Sequence, residues 1–156
     1  MQVVGASLIV SLLATVAIPL PFTPVPVIVQ HIVLLSLASG LGRWGGALAA
    51  ALFVLEGALG LPVFAGGHGG LGVLLGPSGG YIAGYVVGAG LAGWVGEKGS
   101  RPWAVFAGLI PIYAFGMLHL SHFVGWERVI PLGLTPFLLG DLLKCAVAAT
   151  LIHRWR

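Results

Sequence analysis

Charge is what this sequence has least of: seven Lys and Arg and four Asp and Glu among 156 residues, 7% of the chain against 58% apolar. Soluble domains carry roughly 25% charged residues, so a chain this poor in charge cannot cover a water-facing surface. A soluble globular protein is excluded. The single cysteine, Cys145, excludes an intrachain disulfide. Nucleotide-binding signatures are missing as well. No Walker sequence occurs, Lys98 being preceded by Glu97 rather than glycine. Gly67-His-Gly69-Gly70-Leu-Gly72 formally fits G-x-G-x-x-G, but it follows no strand in a chain with 26 glycines. H-E-x-x-H is absent, so hydrolase chemistry has no zinc motif, and no enzymatic activity or cofactor is expected. The net charge of +3 does not indicate nucleic acid, because the basic residues stand singly or in pairs at the ends of apolar stretches and form no stripe. Nor does the start look like a cleaved signal peptide, since the apolar run from Val3 has no Lys or Arg before it.

What is present is apolar length. Mean hydropathy is +1.08, and a bilayer-crossing helix needs about 20 apolar residues. Pro, Gly and charge divide the chain into six expected spans, at about 3–20, 26–41, 45–60, 79–96, 103–120 and 135–153. They make one all-α integral membrane domain, 1–156. With the N-terminus cytoplasmic, the inner segments carry Arg43, Lys98, Arg101, Arg154 and Arg156 and the outer ones only Arg128. The positive-inside rule therefore puts both termini inside, in a multi-pass protein of the cytoplasmic membrane. Trp44, Trp94, Trp103, Trp126 and Trp155 near span ends read as interfacial belt residues.

Small residues recur at helical spacing. Gly80, Gly84, Gly88, Ala92 and Gly96 form a ridge on the fourth span that admits close backbone approach, where lipid supplies no hydrophobic drive between helices. Ser7 with Ser11, and Gly46 with Ala50, are shorter versions and offer a partner helix a place to pack. Two connections on the outer side are unusual. Segment 19–26 has four prolines and should run extended as a stiff cap. Segment 61–80 is long, apolar and glycine-dense, and irregular backbone at membrane depth survives only when it is buried in protein or lines a cavity.

Three ionisable residues fall inside spans: Glu56 on the third, Asp141 and Lys144 on the sixth. Each costs at least about 2.5 kcal/mol at membrane depth, which marks them as a candidate site. At 1.5 Å rise per residue Asp141 lies roughly 8 Å, and Glu56 about 6 Å, from the outer ends of their helices. Lys144, three residues on, shares a face with Asp141. Such a set suits a neutral or anionic small molecule, with carboxylates accepting N–H groups and the ammonium facing ligand charge. Phe22, Phe64 and Tyr81 would bury its apolar body. His68 stands at the centre of the glycine loop that should roof the cavity, whereas His119 and His122 have no third metal ligand near them in sequence. Two other functions remain open at this point: a proton-coupled transporter relaying through Glu56, Asp141 and Lys144, and an intramembrane metal enzyme on His68, His119 and His122.

Three stretches together carry a resemblance: Ile-Pro-Leu-Pro-Phe-Thr-Pro-Val-Pro-Val (18–27) with Gln30; Glu56 through Tyr81, with its Leu-Pro-Val-Phe-Ala-Gly-Gly and Gly-Pro-Ser-Gly-Gly-Tyr; and Phe-Leu-Leu-Gly-Asp-Leu-Leu-Lys (137–144). The chain resembles the BioY family, the biotin-binding membrane subunits (S components) of energy-coupling factor transporters. The resemblance implies a six-helix S-component fold and capture of biotin on the outer side. It also implies coupling to a transmembrane T subunit and cytoplasmic ATPases. Carried over by residue, it places biotin contacts on Asp141 and Lys144, with the glycine loop including Gly67 and Gly69, and Tyr81, lining the same pocket. The Ala-x-x-x-Ala docking pattern common on the first helix of S components is replaced here by Ser7-x-x-x-Ser11.

Overall fold

The computed structural model describes residues 1–13 and 17–154; Trp155 and Arg156, counted above as a belt residue and an inner charge, lie outside the described residues. The chain runs α1 (Gln2–Leu12), two short strands β1 (Ala17–Ile18) and β2 (Val27–Ile28), α2 (Gln30–Ala58), a 3₁₀ turn (Ala65–Gly67), α3 (Leu71–Leu75), α4 (Gly79–Glu97), α5 (Arg101–Val124), α6 (Trp126–Gly133) and α7 (Thr135–Arg154). Among the described residues, Gln30–Ala58, Arg101–Val124 and Trp126–Leu151 have the length and hydropathy of membrane-crossing stretches.

Two boundaries differ from the sequence expectation. Ala17 and Ile18, assigned by hydropathy to the first span, pair antiparallel with Ile28 and Val27 instead. The prolines at 19, 21, 24 and 26 lack the N–H a helix needs and hold the intervening segment as a loop between the two strands. Residues 126–133, expected as connection, form the amphipathic helix α6.

The two middle spans of the sequence reading, 26–41 and 45–60, appear as one helix broken at Gly42, which has φ 78° and ψ 174°. A positive φ of this kind is open to glycine and strained for other residues. The arms fold back on each other, since a Cβ built at Gly46 would lie 2.8 Å from Ala38 Cβ. The turn is closed by Glu97, whose Oε1 accepts Arg43 N–H at 2.7 Å. A carboxylate there also meets the positive end of the second arm's backbone dipole.

The glycine ridge on α4 is internal packing with two faces. Cβ atoms at Gly80, Gly84 and Gly88 would stand 2.4, 2.8 and 2.5 Å from Phe115 O, Ile112 Cα and Gly108 O of α5. Gly93 and Gly96 meet the α2 turn, 2.2 Å from Gly42 O and 2.1 Å from Ser39 O. Gly46 and Ala50 are buried in the same packing and offer no partner surface. Phe53, Leu34, Leu35, Leu120 and Val105 fill the core between α2, α4 and α5.

The packing predicts a graded response to added methyl groups. Gly93→Ala forces a Cβ into the Gly42 carbonyl and should cost about 1–3 kcal/mol. Gly5→Ala meets nothing within 4 Å and should be neutral or slightly stabilising through helix propensity. Thermal unfolding of the two variants in detergent checks the contrast.

Candidate functional site

The site is organised by one carboxylate. Asp141, on α7 and 4% exposed, accepts His31 Nε2–H at 2.9 Å and the Tyr113 hydroxyl at 2.7 Å on Oδ2. Its Oδ1 accepts Lys144 Nζ at 3.0 Å, and the same ammonium donates to Ile28 O of β2 at 3.0 Å. Helical spacing brings Lys144 onto Asp141, one turn away. His31 and Tyr113 come from α2 and α5, so the carboxylate joins three helices that sequence separates by 110 and 28 positions. A buried anion is tolerated when it is both paired and hydrogen-bonded, and here three donors serve it.

Beside this cluster lies a cavity of about 490 Å³, lined by Asp141, His31, Gln30, Tyr81, Tyr85 and Tyr113 among its polar residues. That volume falls in the range of roughly 300–1,000 Å³ usual for small-ligand sites. Its walls include Ile82, Ile112, Phe64 and Phe137, and Pro19, Leu20, Thr23, Pro24, Val25 and Pro26 of the proline segment close one side. That segment is tied down by Thr23, whose Oγ1 donates to Leu132 O of α6 at 2.7 Å and accepts Val25 N–H at 3.3 Å. Phe64 is held by an edge contact with Phe53 at 5.6 Å and by the absence of a side chain at Gly57, where a Cβ would stand 2.1 Å from its ring. Tyr81 lies flat over Gly116 and donates its hydroxyl to Gly133 O at 2.7 Å.

The residues singled out from sequence separate into two groups. Asp141, His68, Phe64 and Tyr81 line the cavity. Lys144 is not among the lining residues; it braces Asp141 from behind, its ammonium already engaged by two oxygens. Gly67 and Gly69 also lie outside the lining and serve the loop's shape. Gly66 and Gly67 have φ of 74° and 75° in a turn closed by Gly67 N–H to Phe64 O and Phe64 N–H to His68 O, while a Cβ at Gly69 would strike Leu61 O at 2.2 Å. Phe22, expected in the pocket wall, is exposed.

Glu56 stands apart, contrary to the shared-site expectation. Its Oε1 accepts the Ser7 hydroxyl at 2.8 Å and its Oε2 the Ser11 hydroxyl at 3.0 Å, so the acid pins α1 to the second arm of α2. Level depth put it beside Asp141 in the sequence argument; helix rotation turns it toward α1. This also corrects the docking assignment, because Ser7 is fully buried and both hydroxyls point inward, leaving Val4, Leu8 and Leu12 as the outward side of the helix. His119 Nε2–H donates to Gly76 O at 3.0 Å, and His122 is exposed. No group of three metal-ligating side chains occurs among the described residues.

Sequence reasoning missed His31, Tyr85 and Tyr113. His31 follows Gln30 at the start of an apolar run, and polar residues at a span end read as interfacial. The one available signal was arithmetic: an intramembrane Asp three residues from a Lys satisfies its charge but not its remaining lone pairs, so further donors had to come from elsewhere in the bundle.

Comparison with known proteins places this geometry in context. The chain matches the BioY family over residues 1–156. It is 40% identical over 159 residues to the biotin transporter BioY of Thermotoga maritima, covering 98% of this chain and 94% of that protein. To the probable biotin transporter BioY of Pyrococcus horikoshii it is 37% identical, over 84% and 80% of the two chains. The fold superimposes with a TM-score of 0.87 and 26% identity on the crystal structure of the S-component for biotin from an ECF-type ABC transporter, covering 99% of this chain and 88% of that one.

Removing the organising carboxylate should be severe. Asp141→Ala leaves the Lys144 ammonium with a single carbonyl and His31 and Tyr113 without an acceptor, so a loss of about 3–5 kcal/mol is expected. The purified variant should show a markedly lower unfolding temperature than wild type.

Proposed function

The chain belongs to the BioY family, and we propose on that premise that it is the substrate-binding membrane subunit of a biotin uptake system. In this reading it takes biotin from the outer face of the cytoplasmic membrane. A transmembrane partner and separate ATPases then power release inward. Its relatives bear the name biotin transporter, and its structural counterpart is the biotin S-component of an ECF-type transporter.

The observation that carries the reading is the cavity: mostly apolar walls around a few fixed polar groups, under a cover of extended proline-rich chain. Biotin has the matching make-up, an apolar bicycle and aliphatic tail with a ureido group at one end and a carboxylate at the other. A site of this type binds by burying the apolar body and orienting it through a small number of convergent polar atoms. The chain carries no phosphate-binding motif, which supports assigning ATP hydrolysis to partners. A proton relay through Glu56 gains no support, since Glu56 and Asp141 belong to separate hydrogen-bond clusters.

Calorimetric titration of the purified subunit with biotin, without nucleotide, should give one-to-one binding with a dissociation constant below about 1 μM, equivalent to about −8 kcal/mol. Millimolar binding or none by folded protein would overturn the reading. Glu56→Gln should leave that affinity within about twofold, because the carboxylate lies outside the cavity lining and glutamine keeps an acceptor for the serine hydroxyls.

A further inference from the structure

The end of the bundle away from the cavity carries cations without anionic partners among the described residues. Arg43 follows the glycine break in α2, Lys98 follows α4 and Arg101 opens α5. Packing brings the two turns together, since Glu97 Oε1 accepts Arg43 N–H at 2.7 Å and a Cβ at Gly93 would stand 2.2 Å from Gly42 O. Glu97 is the one acid at this end of the bundle: Glu56 holds α1, Glu127 belongs to α6 and Asp141 to the cavity. Three exposed cations therefore meet one carboxylate, and none of the three forms an ion pair among the described residues.

Two of these side chains rest on aromatic rings instead. The Arg43 guanidinium carbon lies 5.0 Å from the ring centroid of Trp44, and Lys98 Nζ lies 3.6 Å from that of Trp94. A ring face holds a cation through its quadrupole but brings no formal charge, so both keep their charge and their donors for an anion. Trp44, Trp94 and Trp103 are all exposed, and exposed tryptophans at the ends of membrane-crossing helices mark the level of the lipid headgroups. Toward the middle of the bundle the outward surface turns apolar, with Leu48 one turn on from Trp44 and Ile110 two turns on from Trp103, both exposed. Between the two turns lies an open recess of about 270 Å³ bordered by Ser39, Gly42, Glu97 and Arg101. Unpaired positive charge at headgroup level, continuous with an apolar flank, is complementary to an amphiphile with an anionic head.

We propose that this corner binds the phosphate of an anionic phospholipid of the inner leaflet, with Arg43, Lys98 and Arg101 donating to the headgroup and the acyl chains lying along the apolar flank. The two guanidinium groups suit phosphate oxygens through their planar forks, and the ammonium adds a point charge. A soluble anion would gain nothing from the exposed tryptophans, Leu48 and Ile110, which is why the geometry favours a lipid. The bound headgroup joins the α2 turn to the α4–α5 turn, adding an ionic link to a contact otherwise made by close backbones and Glu97.

The test is native mass spectrometry and thermal unfolding of the purified protein in a non-ionic detergent, titrated with dioctanoyl phosphatidylglycerol, dioctanoyl phosphatidylcholine or glycerol phosphate. Wild type should retain one phosphatidylglycerol and unfold at a higher temperature with it, at concentrations where the other two compounds do neither. Arg43→Gln, Lys98→Gln and Arg101→Gln should each weaken phosphatidylglycerol about fivefold, the effect of one basic residue at an anionic lipid surface. The triple variant should lose the preference over phosphatidylcholine. Arg128→Gln, which removes an exposed cation on α6, should change the affinity by less than about twofold, because charges far beyond a Debye length are screened. Equal retention of the two lipids by wild type overturns the proposal, and so does a loss in Arg128→Gln as large as in the other single variants. Stabilisation by glycerol phosphate as strong as by phosphatidylglycerol also overturns it, by making the ligand a soluble anion. If the triple variant does not fold, the single substitutions decide, since each changes an exposed side chain and keeps the backbone hydrogen bonds.

Discussion

The buried carboxylate of Asp141 is the interaction on which the rest of the site depends. It collects donors from the first turn of α2, the middle of α5 and the next turn of α7. Through Lys144 it reaches Ile28 in β2, whose strand partner β1 leads into the proline segment. A single anion thus fixes the relative rotation of three helices and secures one foot of the cover over the cavity. The second foot is Thr23 on Leu132. Because an unmade hydrogen bond to a buried carboxylate is costly, each of these side chains is held in one position, which is the condition for a pre-formed binding site.

The opposite end of the bundle is rigid for a different reason. At Gly93 and Gly96 the backbones of α4 and the α2 turn come close enough that a single methyl group would collide with a carbonyl oxygen. In lipid such proximity supplies through van der Waals contact what the hydrophobic effect supplies in water. One end is therefore built from backbone against backbone, and the other from long loops closing over a polar cluster. Small residues set the frame, while buried polar side chains gather at the cavity, with Glu56 clasping α1 and Glu97 closing the α2 turn.

Much of this was legible in the amino-acid sequence, and the failures have physical causes. The helical class follows from apolar length, and the ridge on α4 follows from four-residue glycine spacing, because both are local properties. Asp141 stood out through the energetic cost of charge in a membrane. Its partners did not, since the contact with His31 spans 110 positions and depends on helix rotation, which apolar sequences without a polar face hardly specify. The same gap misplaced Glu56: depth along a helix can be counted from residue rise, but azimuth cannot when every face is apolar. Gly67 and Gly69 were tied to the pocket through their loop, and their role is the positive φ and the close approach that let Gly66 and His68 border it.

The most direct measurement of the account is an experimental structure of the protein loaded with biotin. The account predicts one ligand within the cavity beneath the 19–26 segment, its bicycle against Phe64 and Tyr85, and Asp141 still bonded to His31, Tyr113 and Lys144. Biotin bound elsewhere on the bundle, or an Asp141 that releases His31 and Lys144 to reach the ligand, would contradict it.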